Sequence, residues 1–222
     1  MLLGVVLLYV GAVLVVNGIW LLGQAAAAER EASGTRRSRA EREAGEETLG
    51  GAGEPGAGGA AVAQVTTPIM IRNREVAILN VFTGFIGIVS AIVLAAQGNE
   101  AGDLGSVRAA GYILLFAFTY LWVAYNQWVA DTDGHGFGWY CLFVAITAIP
   151  AGIWSFANAD GSDASVYLGF CWFAWAILWG MFFVLLALER PIARITGIVA
   201  VLEGIGTAWV FGILLLEDVI SF

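Results

Sequence analysis

The stretch from Ile195 to Leu216, ITGIVAVLEGIGTAWVFGILLL, is apolar throughout except for a single charge, Glu203. At about 1.5 Å per residue a helix of this length covers the roughly 30 Å of a bilayer's hydrocarbon, so the stretch reads as a membrane span. A carboxylate at such a depth is costly unless protein or water satisfies it, which makes Glu203 a candidate functional residue. The preceding apolar run, Ser165 to Leu188, carries Trp172, Trp175 and Trp179 at i, i+3 and i+7, on one helical face. Tryptophan usually rings a helix end at the membrane interface. These three instead run roughly 10 Å down the helix axis.

Working outward, four more windows have the same character: Leu2 to Gly23, Val76 to Ala96, Ala109 to Ala130 and Phe137 to Ala157. With 59% hydrophobic and 13% charged residues, the chain lacks the polar surface of a soluble domain. The expectation is an all-α membrane protein with six transmembrane helices. Its parts are a first span over 1–23, a connector over 24–74, and five further spans over 75–222. The net charge of −8 argues against nucleic acid as a partner.

The charges are unevenly placed. Every basic residue is an arginine; Arg30, Arg36, Arg37, Arg39, Arg42, Arg72 and Arg74 lie between spans one and two, Arg190 and Arg194 between spans five and six, and Arg108 stands apart. Acidic residues occupy the opposite connections, at Glu100, Asp103, Asp160, Asp163, Glu217 and Asp218. By the positive-inside rule the arginine-rich loops face the cytoplasm and both termini lie outside, a parity that six spans satisfy. The short loop with Asp131, Asp133 and His135 falls on the cytoplasmic side as well.

A cleaved signal peptide is the rival reading of the N-terminus, since Gln24 to Ala28 offers small residues. No basic n-region precedes the apolar run, and cleavage would export the arginine cluster. Cys141 and Cys171 fall inside spans and read as small apolar packing residues, with no disulfide framework. Residues 24–74, rich in Ala, Gly, Glu and Arg, have almost no large apolar residue before Val62 and cannot bury a core. They read as a flexible or partly helical cytoplasmic linker. A docking arm for a partner or for anionic membrane lipid, through Arg36, Arg37 and Arg39, is the sharper alternative.

Several faces could line a path. Leu7, Val10 and Leu14 share one face of span one, with Asn17 beyond; taken alone this is ordinary helix packing. Phe116 and Tyr120 share a face of span three, and Leu168 precedes the tryptophans of span five. Helix contacts in membranes favour small residues, and Ala200, Gly204 and Ala208 supply such a face on span six. The indoles are therefore free to face a pore or pocket. Glu203 has two readings of its own: a carboxylate bonded to Asn17, Thr207, a Tyr or a Trp to hold helices in register, or a group beside a permeation path.

Five segments then carry a resemblance: LLYVGAVLVVNGIW from Leu7, LLFAFTYLWVAYN from Leu114, WYCLFVAITAIPA from Trp139, WFAWAILW from Trp172 and LEGIGTAW from Leu202. In order and spacing they resemble the AmiS/UreI family of bacterial urea channels and short-chain amide transporters, over nearly the whole chain outside the arginine-rich loop. The resemblance implies a six-helix protomer with its own central pore, assembled as a ring-shaped homohexamer in the bacterial inner (cytoplasmic) membrane. It implies pore-lining positions at Leu7, Val10, Leu14, Phe116, Tyr120, Leu168, Trp172, Trp175, Leu178, Trp179 and Glu203. At Leu168 the family's best-known channel has a further Trp, so this chain's outer constriction should be wider.

The expected function is a passive channel for urea or short-chain aliphatic amides. No cofactor, metal or catalytic residue is expected, because the spans hold neither a nucleophile with its base nor a metal cluster. The resemblance also implies a functional link to a cytoplasmic amidase or urease. With His135 the only histidine, the histidine-based acid gating of the best-known member is not expected here. A proton-coupled amide transporter working through Glu203 is the alternative.

Overall fold

Each apolar window centres on a helix in the computed structural model, which describes residues 2–48, 70–129 and 131–222. The helices are α1 (Leu2–Thr48), α2 (Asn73–Ala101), α3 (Leu104–Trp128), α4 (His135–Ala157), α5 (Asp163–Leu186) and α6 (Ala193–Leu216). Among the described residues, these six are the helices long and apolar enough to cross a membrane. Bulky apolar side chains point outward, Phe85 and Phe170 each leaving about two-thirds of their surface exposed (64% and 66%). That inverts the soluble pattern and suits a surface covered by lipid or by other membrane helices.

The helices pack in a closed circuit. Each contacts its neighbours in sequence, and α6 returns to pack against α1. A glycine seam makes that closure. Gly4 lies against Gly212, Gly11 against Gly204 and Gly18 against Gly197, so closely that a Cβ on Gly18 would stand 2.7 Å from the Gly197 carbonyl oxygen. Without a hydrophobic drive between helices in lipid, such close approach is what gains dispersion energy. Ala200 and Ala208, both fully buried, belong to the same small-residue face of α6.

The seam contains an irregularity that composition did not signal. On α1 the glycines recur every seven residues, but on α6 Gly197 to Gly204 is seven and Gly204 to Gly212 is eight. The extra residue is absorbed by a π-helical segment, Gly204–Val210, within α6. A π turn takes one more residue than an α turn, so Gly212 returns to the α1 face.

Polar bonds fix α1 on α2. Asn17 and Asn80 exchange reciprocal amide hydrogen bonds of 3.1 and 2.7 Å, and the Trp20 indole donates to Asn73 Oδ1 at 3.0 Å. Between α3 and α4, the Tyr140 hydroxyl donates to the Leu115 carbonyl at 3.0 Å. Short side-chain caps start α3 and α5. The Asp103 carboxylate accepts from Gly105 N–H at 2.8 Å and Ser106 Oγ–H at 2.6 Å, opening α3, and Ser162 Oγ accepts from Ser165 N–H at 3.2 Å to open α5.

The connector differs from a simple loop. α1 continues past the span through residue 48, because Ala, Glu and Arg are strong helix formers. Arg37 and Glu41 pair at i, i+4 with 2.8 Å separation, and Glu29 reaches Arg194 at the start of α6 at 3.5 Å. Residues 49–69 lie outside the described residues.

Candidate functional site

The i, i+3, i+7 spacing of α5 places all three tryptophans inward, each only 4% exposed. They converge on one ring. Phe116 of α3 stacks on Trp172 at 5.3 Å, meets Trp175 edge-on at 5.1 Å and packs tilted on Trp179 at 4.8 Å. Tyr112, one turn earlier on α3, adds an edge contact to Trp172 at 4.9 Å. Such offset and edge-on pairs satisfy the ring quadrupoles and hold the side chains rigidly.

These rings wall a cavity of about 550 Å³. Of the residues singled out by sequence, Leu7, Val10, Phe116, Tyr120, Leu168, Trp172, Trp175 and Trp179 all line it. Its mouth opens at the end of the bundle that carries the chain's first residues, among Ser106, Arg108, Asn158 and Ser165. There the Arg108 guanidinium lies over the Trp154 ring, 4.2 Å from its centroid. At the mouth Asp103 is also held ionised, its carboxyl kept below the usual value by the Ser106 hydroxyl and then the Gly105 N–H.

Around Tyr120 the lining is aromatic and aliphatic. The exception is the hydroxyl of Tyr120 itself, buried and without a hydrogen-bond partner among the described residues. A buried hydroxyl left unpaired costs free energy, and Tyr120 borders the cavity.

Three of the sequence candidates stand elsewhere. Leu14, Leu178 and Glu203 do not line the cavity. Leu14 packs against α6, where a Cβ on Gly204 would meet its own Cβ at 2.9 Å, and Leu178 is fully buried in the core. Among the described residues the Glu203 carboxylate makes none of the helix-register bonds that sequence suggested: Asn17 is taken by Asn80, and the Thr207 hydroxyl donates to the Glu203 backbone carbonyl instead. Its Oε2 is buried without a hydrogen-bond partner among the described residues.

Sequence reading missed how α5 grips the π segment. The Tyr167 hydroxyl donates to the Gly206 carbonyl, the Cys171 thiol lies 3.5 Å from the Thr207 carbonyl, and the Trp175 indole donates to Thr207 Oγ1 at 2.8 Å. These donors recur at i, i+4 and i+8 on α5. That periodicity was present in the sequence, but its target depends on a helix irregularity that apolar residues conceal.

Comparison with known proteins adds the family. The model described as "AmiS/UreI family transporter" matches residues 63–219. A Mycolicibacterium smegmatis protein, named as a candidate transporter of amidate substrates, is 35% identical over 206 residues, covering 92% of this chain and 72% of its own. The acid-activated urea channel of Helicobacter pylori is 33% identical over 161 residues, covering 62% of this chain and 81% of its own. The cryo-electron microscopy structure of the H. pylori urea channel in its closed state superposes with a TM-score of 0.68 at 27% identity, over 97% of this chain and 98% of that one. The crystal structure of that channel gives the same TM-score, 0.68, at 28% identity over 98% of each chain.

Proposed function

Because the chain belongs to the AmiS/UreI transporter family, we propose that it is a passive membrane channel for urea and short-chain aliphatic amides. The observation that carries this reading is the cavity walled by Phe116 and the tryptophans of α5, bordered by Tyr120 with its buried, unpaired hydroxyl. Such a slot suits a neutral planar solute. An ion would forfeit hydration that no ring of carbonyls or carboxylates among the described lining residues replaces. Urea or acetamide loses a few hydrogen bonds, which aromatic faces and the Tyr120 hydroxyl partly restore. Flow follows the concentration gradient, and the solute leaves chemically unchanged.

In this reading the mouth at Arg108 faces outward, with both termini, and the arginine-rich end faces the cytoplasm. Leu14, Leu178 and Glu203, beyond Tyr120, form the inner part of the path when it opens. The outward apolar faces seat the protomer in a homohexameric ring in the bacterial inner membrane, with lipid around it, and a cytoplasmic amidase or urease consumes the solute. The one histidine, His135, lies at the arginine-rich end between Asp133 and Glu189, 3.4 Å from each. An outward-facing histidine sensor is therefore absent, and conduction should not need external acid.

The test is osmotic swelling of proteoliposomes in urea, acetamide and glycerol, at about pH 7.5 and about pH 5.5, either side of the histidine range. Fast entry of urea or acetamide at both pH values, altered by Trp175→Ala, is the expected result. Entry no faster than in protein-free vesicles would refute the channel. The unpaired Glu203 Oε2 favours a second reading, proton-coupled amide transport. It requires accumulation against a gradient when a pH difference is imposed, lost in Glu203→Gln while downhill flux survives.

A further inference from the structure

We infer that Thr207, which does not line the cavity, is a positioning residue that sets solute discrimination by withholding the indole N–H of Trp175 from the path. This rests on the amide-channel reading above. A hydroxyl has one proton and two acceptor sites. Thr207 spends its proton on the Glu203 backbone carbonyl at 2.7 Å and so turns a lone pair towards α5, where Trp175 Nε1–H donates at 2.8 Å. The indole is thereby tethered at its polar edge to the wall.

The consequence reaches the solute side. With its N–H engaged, Trp175 shows the cavity an apolar ring, set at 71° to Phe116 and 82° to Trp172. It limits the width of what passes without offering a hydrogen bond. Hydrogen bonds to a solute are then left to other lining groups, such as the Trp172 and Trp179 indoles and the Tyr120 hydroxyl. Tyr167 braces the same π segment through the Gly206 carbonyl, so the anchor itself is held from α5.

Thr207→Val keeps the side chain's shape and removes the hydroxyl. The indole N–H is then an unpaired buried donor, which should turn towards the cavity and its water, changing both the width of the slot and its polarity. The acetamide-to-urea permeability ratio should shift by about threefold or more, an effect the size of one ordinary hydrogen bond. Thr207→Ser, which keeps the hydroxyl, should restore most of the wild-type ratio.

The decisive measurement is a double-mutant cycle on that ratio. In a Trp175→Phe background there is no N–H to withhold, so Thr207→Val should produce no further shift. A ratio unchanged by Thr207→Val alone, or a shift that persists undiminished with Trp175→Phe, overturns the inference. Flux-independent evidence comes from the indole ¹⁵N–H resonance of Trp175, assigned by its loss in Trp175→Phe, which should move in Thr207→Val and return in Thr207→Ser. A resonance that stays put refutes the tether. If wild type conducts no amide while the resonance moves as expected, the channel reading fails and the tether stands.

Discussion

Replacing Tyr120 with Phe should push conduction and stability in opposite directions. The Tyr120 side chain is 3% exposed, lines the cavity, and has a hydroxyl without a protein partner among the described residues. If that hydroxyl serves a passing amide, its removal forfeits one hydrogen bond of about 0.5–1.5 kcal/mol at the narrowest stage of passage. At about 1.4 kcal/mol per factor of ten, urea entry should fall roughly 2- to 12-fold. The protein itself loses only an unsatisfied polar group, whose burial costs about 1–3 kcal/mol where water does not reach it. Stability should therefore hold or rise, by roughly 2–4 °C per kcal/mol for a chain of this size. Stopped-flow swelling and thermal unfolding of one preparation read both quantities. Unchanged flux with raised stability would show that the hydroxyl meets no solute. A clear drop in stability would show that it has a protein partner after all, and the argument from an unpaired group would collapse.

Leu168→Trp adds a further indole to the cavity wall and should reduce acetamide entry more than urea entry, as swelling rates in the two solutes will show. Gly11→Ala would set a Cβ 2.7 Å from the Trp209 backbone nitrogen and Cβ, and overpacking of this kind costs about 1–3 kcal/mol. Gly111→Ala, where nothing lies within 4 Å, is the control in the same unfolding assay. The Asp103 cap on α3 has a folded pKa below its ordinary value of 3.8, so its stabilisation is present above that value and lost only as pH falls through the lower folded value. The difference in melting temperature between wild type and Asp103→Ala should thus stay constant from neutral pH down to the carboxylate range, and shrink only below it.

The spans and the aromatic face were readable because both follow from periodicity. Apolar length sets a membrane helix, and i, i+3, i+7 puts Trp172, Trp175 and Trp179 on one side wherever that side faces. Depth and partners were not readable. Leu14 shares a face with Leu7 and Val10, yet it meets α6 rather than the cavity, because a face says nothing about where along the axis the cavity stops. Glu203 stood out by charge, but its carboxylate stays clear of the cavity while its backbone carbonyl anchors Thr207. The helical extension of α1 looked like a linker because Ala, Glu and Arg bury nothing, although they form helix readily. The π segment has no compositional mark at all. Its trace is the change from seven to eight in the glycine spacing of α6, which acquires meaning only beside the regular spacing of α1.

The glycine seam also imposes an order on biogenesis. The wall of the bundle is completed by its first and last helices, with Gly4 meeting Gly212 at one end of the seam. α6 itself places no side chain in the cavity wall, so its part is to close the circuit that α1 begins. The two helices that must meet are the farthest apart in sequence, and the seam can form only after the last span has been made. A substitution that weakens the seam should leave every span in place and part the bundle between its first and last helices.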